Sequence, residues 1–148
     1  MSGEAQIQVS MQITKDDTDG ILNYRSYPTQ FTADVSGALG PTPGAFVVSI
    51  TGTDVDLSQL TVPGLCKITN QDAVNYVEYG IHEASTNQFY PLGEVLAGEF
   101  YVLRLSRWLG LEWAEPGTGT GTGLGSDNKL MFRASTAPVV VLVEAFEA

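Results

Sequence analysis

The sequence predicts an all-β protein: a single antiparallel β-sandwich or jelly-roll-like domain with one long glycine/threonine loop. Three observations lead to this prediction. Short segments of alternating polar and apolar residues recur along the chain. Turn residues separate them at spacings of about 8–12 residues, as in sandwich folds. No segment shows a sustained helical repeat with capping residues. The length of 148 residues fits one domain, which we place over residues 1–148.

The N-terminal segment alternates apolar residues with glutamine and serine, which predicts a half-buried strand. The apolar positions are Ile7, Val9, Met11 and Ile13. Residues 1–14 carry a single charge, Glu4. We interpret residues 1–14 either as an arm that adds to the sheet edge of a neighbouring molecule or as an edge strand of the same domain.

A polar turn over residues 15–20 follows, and strands are predicted over the apolar stretches beyond it. These strands cover residues 21–25, 31–35, 45–51, 65–69, 74–82, 99–106, 129–135 and 139–146. Residues 37–44 are predicted to be a loop, because their two prolines lack N–H donors and their three glycines interrupt a strand. For residues 105–112 one or two turns of helix and a non-helical structure are equal alternatives, since apolar residues recur there at helical spacing.

Charge and hydropathy exclude several classes of partner. The chain has 17 acidic and 7 basic side chains, a formal net charge of −10, and no basic stripe, so we expect it to bind neither nucleic acid nor an anionic membrane. Its longest apolar run, residues 137–143, is far short of the about 20 residues that span a bilayer. We expect no secretory signal at its N-terminus, and synthesis in a reducing cytoplasm.

The candidates for catalysis are few, and we predict no catalytic residue and no enzyme. His82 is the only histidine, and no Gly-x-Ser-x-Gly elbow accompanies it. We interpret it as a strand-end histidine that faces solvent or a neighbour. Cys66 is the only cysteine and lies in an apolar strand, where a buried thiol acts as a small hydrophobe.

The sequence also predicts no metal and no cofactor. The acidic turn over 15–20 resembles a calcium loop, but alignment on Gly20 places Lys15 at the first ligand position and Ser26 at the twelfth, where an EF-hand needs acids. In the glycine-rich segment 117–125 every glycine falls at an odd position. A dinucleotide fingerprint, whose third glycine follows the first by five residues, therefore cannot occur there.

Other residues are candidates for contact with partner proteins. Trp108 and Trp113 precede the predicted loop over 115–127. Their side chains either fill the core at one end of the sandwich or are partly exposed and contact a partner subunit. The same two side chains could instead stack on sugars in a carbohydrate-binding module. The predicted partner-contact residues are Ile7, Val9, Met11, Trp108, Trp113, Thr118, Thr120 and Thr122.

Residues 64–80, GLCKITNQDAVNYVEYG, resemble a pattern in small virion proteins of tailed bacteriophages. There an apolar strand is followed by an Asn-x-Asp turn and then by Asn-Tyr-Val-Glu-Tyr-Gly. The similarity continues through residues 89–100, through Leu103-Arg-Leu105, and into an apolar C-terminal strand that ends in Glu144. It covers roughly residues 62–147.

The resemblance implies a structural β-sandwich protein of a phage particle. The favoured role is capsid decoration or cement. In that role the chain would sit on the capsid surface as a homo-oligomer, often a trimer, and bind the major capsid protein. A neck, tail or baseplate component of the same particle is the alternative, and a carbohydrate-binding module is the third possibility.

Overall fold

The computed structural model describes residues 3–17, 20–35, 40–106, 109 and 128–147. Within these residues the protein has twelve strands and no helix, so none that could cross a membrane. The strands are β1 (Gly3–Val9), β2 (Gln12–Asp17), β3 (Gly20–Arg25), β4 (Thr29–Val35), β5 (Thr42–Val48), β6 (Thr53–Asp54), β7 (Pro63–Asn70), β8 (Val77–Glu83), β9 (Gln88–Val95), β10 (Phe100–Arg104), β11 (Asn128–Ala134) and β12 (Val139–Glu147). The chain divides into two compact units, Met1–Ser36 and Gly37–Ala148.

The first unit is a pair of two-stranded antiparallel ladders, β1 with β4 and β2 with β3. The predicted continuous strand through Ile7 and Ile13 is interrupted at Ser10 and Met11. At this interruption Met11 N–H donates to Ser26 Oγ at 2.8 Å, and Ser26 N–H donates to Met11 O at 2.8 Å. These two bonds satisfy backbone groups that the interrupted ladder would otherwise leave unpaired.

The assignment of residues 1–148 to a single sandwich domain stays a prediction. Residues 1–36 form a unit of their own, and β1 takes β4 of that unit as its sheet partner. Two alternating segments on either side of a short polar turn pair at little loop-closure cost, which explains why this segment pairs with itself.

The second unit contains two four-stranded antiparallel sheets, which confirms the predicted β-sandwich class. The first sheet has the order β10-β7-β12-β5, and the second has the order β6-β11-β8-β9. Strand β12 shows how alternation builds the core: Val139, Val141 and Val143 are fully buried, whereas Val140 between them is 40% exposed.

The core of the second unit lies between its two sheets. The first sheet contributes Val48, Cys66, Ile68, Val139, Val141, Val143 and Ala145, and the second contributes Val77, Val95, Leu130, Phe132 and Ala134. Two aromatic pairs join the sheets: Phe46 meets Phe132 edge-on at a ring-centroid distance of 6.2 Å, and Tyr79 meets Tyr101 at 6.3 Å. Such pairs add to the stabilisation from apolar burial.

Strand β9 was not predicted, because Pro91 and Gly93 within it indicate a loop. It forms because it lies at a sheet edge, where proline is tolerated, and because the register with β8 shifts between Tyr79 and Gly80. A side chain at Gly80 would collide with the carbonyl of Tyr90, so this close approach of two strands requires glycine.

Strand β5 begins inside the predicted loop over 37–44. Its first residues, Thr42 and Pro43, join the sheet because β5 is also an edge strand, bonded only to β12. The predicted loop over 115–127 and most of the segment 105–112, whose helical character was left open, lie outside the described residues. Within that segment Leu109 N–H donates to Ser106 O at 3.0 Å.

Candidate functional site: the two outer faces of the sandwich

The outer face of the first sheet is apolar over much of its area. We call it the apolar sheet face and define it by Ala45, Val47, Phe100, Val102, Val140 and Leu142. The cross-strand register sets Val140 beside Val47 and places Ala45, Leu142, Thr69 and Phe100 in one row. Val47 is 61% exposed and Phe100 is 62% exposed. Because antiparallel sheets normally turn a polar face to solvent, an apolar outer face is a candidate contact surface.

One ion pair interrupts the apolar sheet face. Lys67 Nζ lies 3.1 Å from Glu144 Oε2, in the row next to Phe100, and 5.8 Å from the centroid of the Phe100 ring. Both partners are partly exposed, so their net stabilisation is small. The pair leaves this face nearly neutral although the whole chain carries a formal charge of −10. A neutral apolar face can approach another protein without the repulsion that the remaining surface imposes.

The outer face of the second sheet is charged. We call it the charged sheet face and define it by Asp54, Glu78, His82, Glu94, Lys129 and Arg133. Arg133 donates through Nε and Nη2 to Glu78 Oε2, at 2.8 and 2.6 Å. Its guanidinium carbon lies 5.0 Å from the centroid of the Phe89 ring. Apart from Glu94, these side chains form ion pairs or hydrogen bonds with one another across neighbouring strands, which is usual on a solvated sheet face.

His82 lies on the charged sheet face, beside an open cavity of about 440 Å³. Its Nδ1 is 2.7 Å from Asp54 Oδ1, and its Nε2 is 3.3 Å from Asn87 Oδ1. Both ring nitrogens are therefore engaged by oxygen atoms. The sequence predicted a strand-end histidine that faces solvent or a neighbour, and in the structure the ring lies against Asp54 and Asn87.

A second cavity of about 510 Å³ opens at one end of the sandwich. Its apolar walls are Val55, Leu57, Leu60, Leu109 and Leu130. Asp54 and Asp56 reach its rim. Among the described residues, no group of three or more His, Cys, Asp or Glu side chains is arranged to hold a metal ion.

The Asn-x-Asp turn of residues 70–75 is a densely bonded structure. The buried Asn70 side chain donates to the carbonyls of Asn75 at 2.8 Å and Val95 at 3.0 Å, and accepts from Asp72 N–H at 2.9 Å. Asp72 Oδ1 accepts from the N–H groups of Asn75 at 2.6 Å and Val74 at 2.8 Å. These bonds hold the pKa of the Asp72 carboxyl below its usual value of 3.8. The turn is therefore rigid, and it holds Val74 83% exposed.

Cys66 is buried in the core, as the sequence predicted. Desolvation, together with the negative charge of Glu144, raises the pKa of the Cys66 thiol to about 12. The thiol is therefore protonated at neutral pH and packs as an apolar side chain.

The predicted partner-contact residues fall into two groups. Ile7, Val9 and Met11 lie in the first unit, where Ile7 pairs with Phe31, Val9 is 57% exposed and Met11 is 48% exposed. Trp108, Trp113, Thr118, Thr120 and Thr122 lie outside the described residues. Their role in partner contact, and the carbohydrate-binding module that rests on the two tryptophans, stay predictions.

The apolar sheet face was not predicted from the sequence. A signal for it is present in strand β12, where Val139 to Val143 are all apolar although the strand alternates between buried and outer positions. Strands that are apolar on both faces are typical of sheets that are covered on both sides. No family model, curated protein or solved structure matches the chain closely enough to support an inference.

Proposed function

We propose that this chain is a structural virion protein that binds the outside of a phage capsid as a homo-oligomer and stabilises the shell. The apolar sheet face carries the proposal, because it offers an exposed, nearly neutral surface for another protein. The resemblance of residues 62–147 to small phage virion proteins supports the choice of partner, the major capsid protein.

The proposed mechanism is stabilisation by binding. A protein that binds only the assembled shell shifts the equilibrium toward assembly by mass action. Several copies in one symmetric oligomer add avidity, so no single contact needs to be strong. The rigid sandwich suits this task, because a preorganised surface loses little conformational entropy when it docks.

The test uses purified protein and capsids that lack it. We expect the protein to co-sediment with the capsids and to raise the temperature at which they lose their shell. Val47→Lys places a charge on the apolar sheet face and is expected to lower capsid binding at least tenfold. Its matched control, Leu92→Lys, changes a side chain that is 67% exposed on β9 of the other sheet, and should bind normally.

Three results would overturn the proposal. The first is no binding and no change in heat resistance with the unaltered protein. The second is equal binding by the Val47→Lys and Leu92→Lys variants, which would show that the apolar sheet face is not the contact. The third is labelled protein confined to a single vertex of the particle, which would favour the neck, tail or baseplate alternative.

A further inference from the structure

The two sheets of the second unit present four edges among the described residues, at β5, β6, β9 and β10. Three are unsuited to accept another strand. Strand β5 contains Pro43 followed by Gly44 with φ of 89°, strand β9 contains Pro91 at its register shift, and strand β6 has two residues. Proline, bulges and short length are the usual features that prevent edge-to-edge pairing.

Strand β10 has none of these features. Its sequence, FYVLR, contains no proline, glycine or lysine, and all of its residues except Leu103 are exposed. Phe100, Tyr101 and Val102 are 62%, 45% and 37% exposed. An edge of this composition is a template for strand addition.

The backbone groups of β10 that face outward follow from its ladder with β7. Glu99 O accepts from Asn70 N–H at 2.9 Å, and Leu105 N–H donates to Gly64 O at 2.8 Å. The backbone hydrogen-bonding groups of Glu99 and Leu105 therefore point toward β7. Because pairing direction alternates along an antiparallel strand, the N–H and C=O groups of Phe100, Val102 and Arg104 point toward the open edge.

We propose that β10 pairs antiparallel with β10 of a second copy of this chain, about a two-fold axis at Val102. In this register Val102 faces Val102 of the other copy, and Phe100 of each copy faces Arg104 of the other. Each of these three pairs exchanges two hydrogen bonds, which uses all the outward-facing groups of the strand. The guanidinium group of Arg104 also meets an aromatic ring, which favours the contact.

Other two-fold registers are poorer. An axis at Tyr101 or Leu103 leaves two such pairs within the strand instead of three. An axis at Arg104 sets the two guanidinium groups against each other, which is repulsive. The register at Val102 is therefore the one in which the strand complements itself, as a contact between identical surfaces requires.

Charge limits where a second copy can dock. The chain carries a formal charge of −10, so copies repel each other over most of their surface. Strand β10 carries one charged side chain, Arg104, and it is positive. Copies therefore meet at β10 without opposing acidic groups, and Arg104 finds an uncharged partner.

The pairing deepens the proposed function and rests on its homo-oligomer, because it names the surface that joins the copies. It would merge two four-stranded sheets into one of eight strands and leave the apolar sheet faces of both copies on the same side, free to dock. A contact of this symmetry closes at two copies, unlike the trimer that the resemblance implies.

The test is disulfide trapping in solution, without any capsid. In a hydrogen-bonded antiparallel pair the two Cα atoms are about 5.5 Å apart, within the roughly 4.4–6.8 Å that a disulfide spans. Val102→Cys is therefore expected to give a covalent dimer under mild oxidation. The native Cys66 is buried and contributes no background. Val47→Cys, on the exposed part of the β5 edge, is the matched control and should stay monomeric on a non-reducing gel.

A second experiment tests the register. Phe100→Cys and Arg104→Cys, each oxidised alone, should give little covalent dimer, whereas a mixture of the two should give a heterodimer. No dimer with Val102→Cys, equal trapping by Val47→Cys, or a trimer of the unaltered protein in sedimentation equilibrium would each overturn the proposal. If trapping fails while the unaltered protein still stabilises capsids, the pairing is wrong and the proposed function stands. If Val102→Cys is trapped as a dimer but the unaltered protein does not bind capsids, the pairing stands and the proposed function is wrong.

Discussion

The two units of the chain use the same alternation of polar and apolar residues and reach different degrees of burial. In the second unit Phe132 is fully buried beneath the opposite sheet. In the first unit Phe31 faces the same side of its ladder as Ile7, yet it is 50% exposed, and Val9 is 57% exposed. The difference arises because the second unit has two sheets that cover each other, whereas the first consists of two-stranded ladders.

This comparison teaches that alternation predicts strands but does not by itself predict a core. A two-stranded ribbon alone is at best marginally stable in water, because it cannot bury its apolar side. A four-stranded sheet packed on another sheet buries that side completely. Substitutions that act differently in the two units can therefore test the comparison.

The largest effect is expected for Phe132→Ala. This substitution removes a ring that contacts Phe46 and opens a cavity in the core, at a cost of about 3–5 kcal/mol in the free energy of unfolding. Phe31→Ala, its counterpart in the first unit, should change the unfolding free energy of the sandwich by less than about 0.5 kcal/mol. Urea denaturation followed by fluorescence measures both values. Similar losses for the two variants would contradict the comparison.

A smaller loss is expected for Asn70→Ala. The buried amide donates to the carbonyls of Asn75 and Val95 and accepts from Asp72 N–H, and the loss of these buried bonds costs about 1–3 kcal/mol. Gln71→Ala, at the exposed neighbouring position, is the control and should unfold at the same urea concentration as the unaltered protein. If Asn70→Ala also left the midpoint unchanged, the turn would not stabilise the sandwich.

The smallest effect is expected for Asp72→Asn, because the contribution of Asp72 to the stability of the folded protein depends on pH. Hydrogen bonds from Asn75 and Val74 lower its pKa in the folded protein, so its contribution to stability is present above the usual value of 3.8 and is lost as the pH falls through the lowered value. Asp72→Asn should therefore be less stable than the unaltered protein at neutral pH, and the gap should narrow in strong acid. Denaturation curves at both pH values measure the gap, and a gap that did not change with pH would exclude this role.

Much of the fold follows from local pattern. Alternation and turn residues predicted the antiparallel sandwich, and the strands predicted over 65–69, 129–135 and 139–146 fall within one residue of β7, β11 and β12 or inside them. Strand β9 was missed, because proline and glycine indicate a loop unless the strand is known to lie at an edge. The interruption at Met11 depends on Ser26, fifteen residues away, and no local pattern indicates it.

The candidate site was less predictable than the fold. Exposure of Val47 and Val140 depends on which side of the first sheet is covered, and that is decided by the second sheet, far away in the sequence. The rigid turn was partly predictable, since Asn70 and Asp72 are residue types that bond to nearby backbone. The bond from Asn70 to Val95 was not predictable, because it forms only when the fold brings β9 alongside the turn.

The buried thiol of Cys66 has a practical consequence for the lifetime of the protein. Oxidants attack the ionised form of sulfur, and this side chain is neither ionised at ordinary pH nor reachable from water. Prolonged contact with air should therefore leave the unaltered chain chemically intact at its one cysteine, and ageing preparations should form no disulfide-linked aggregates.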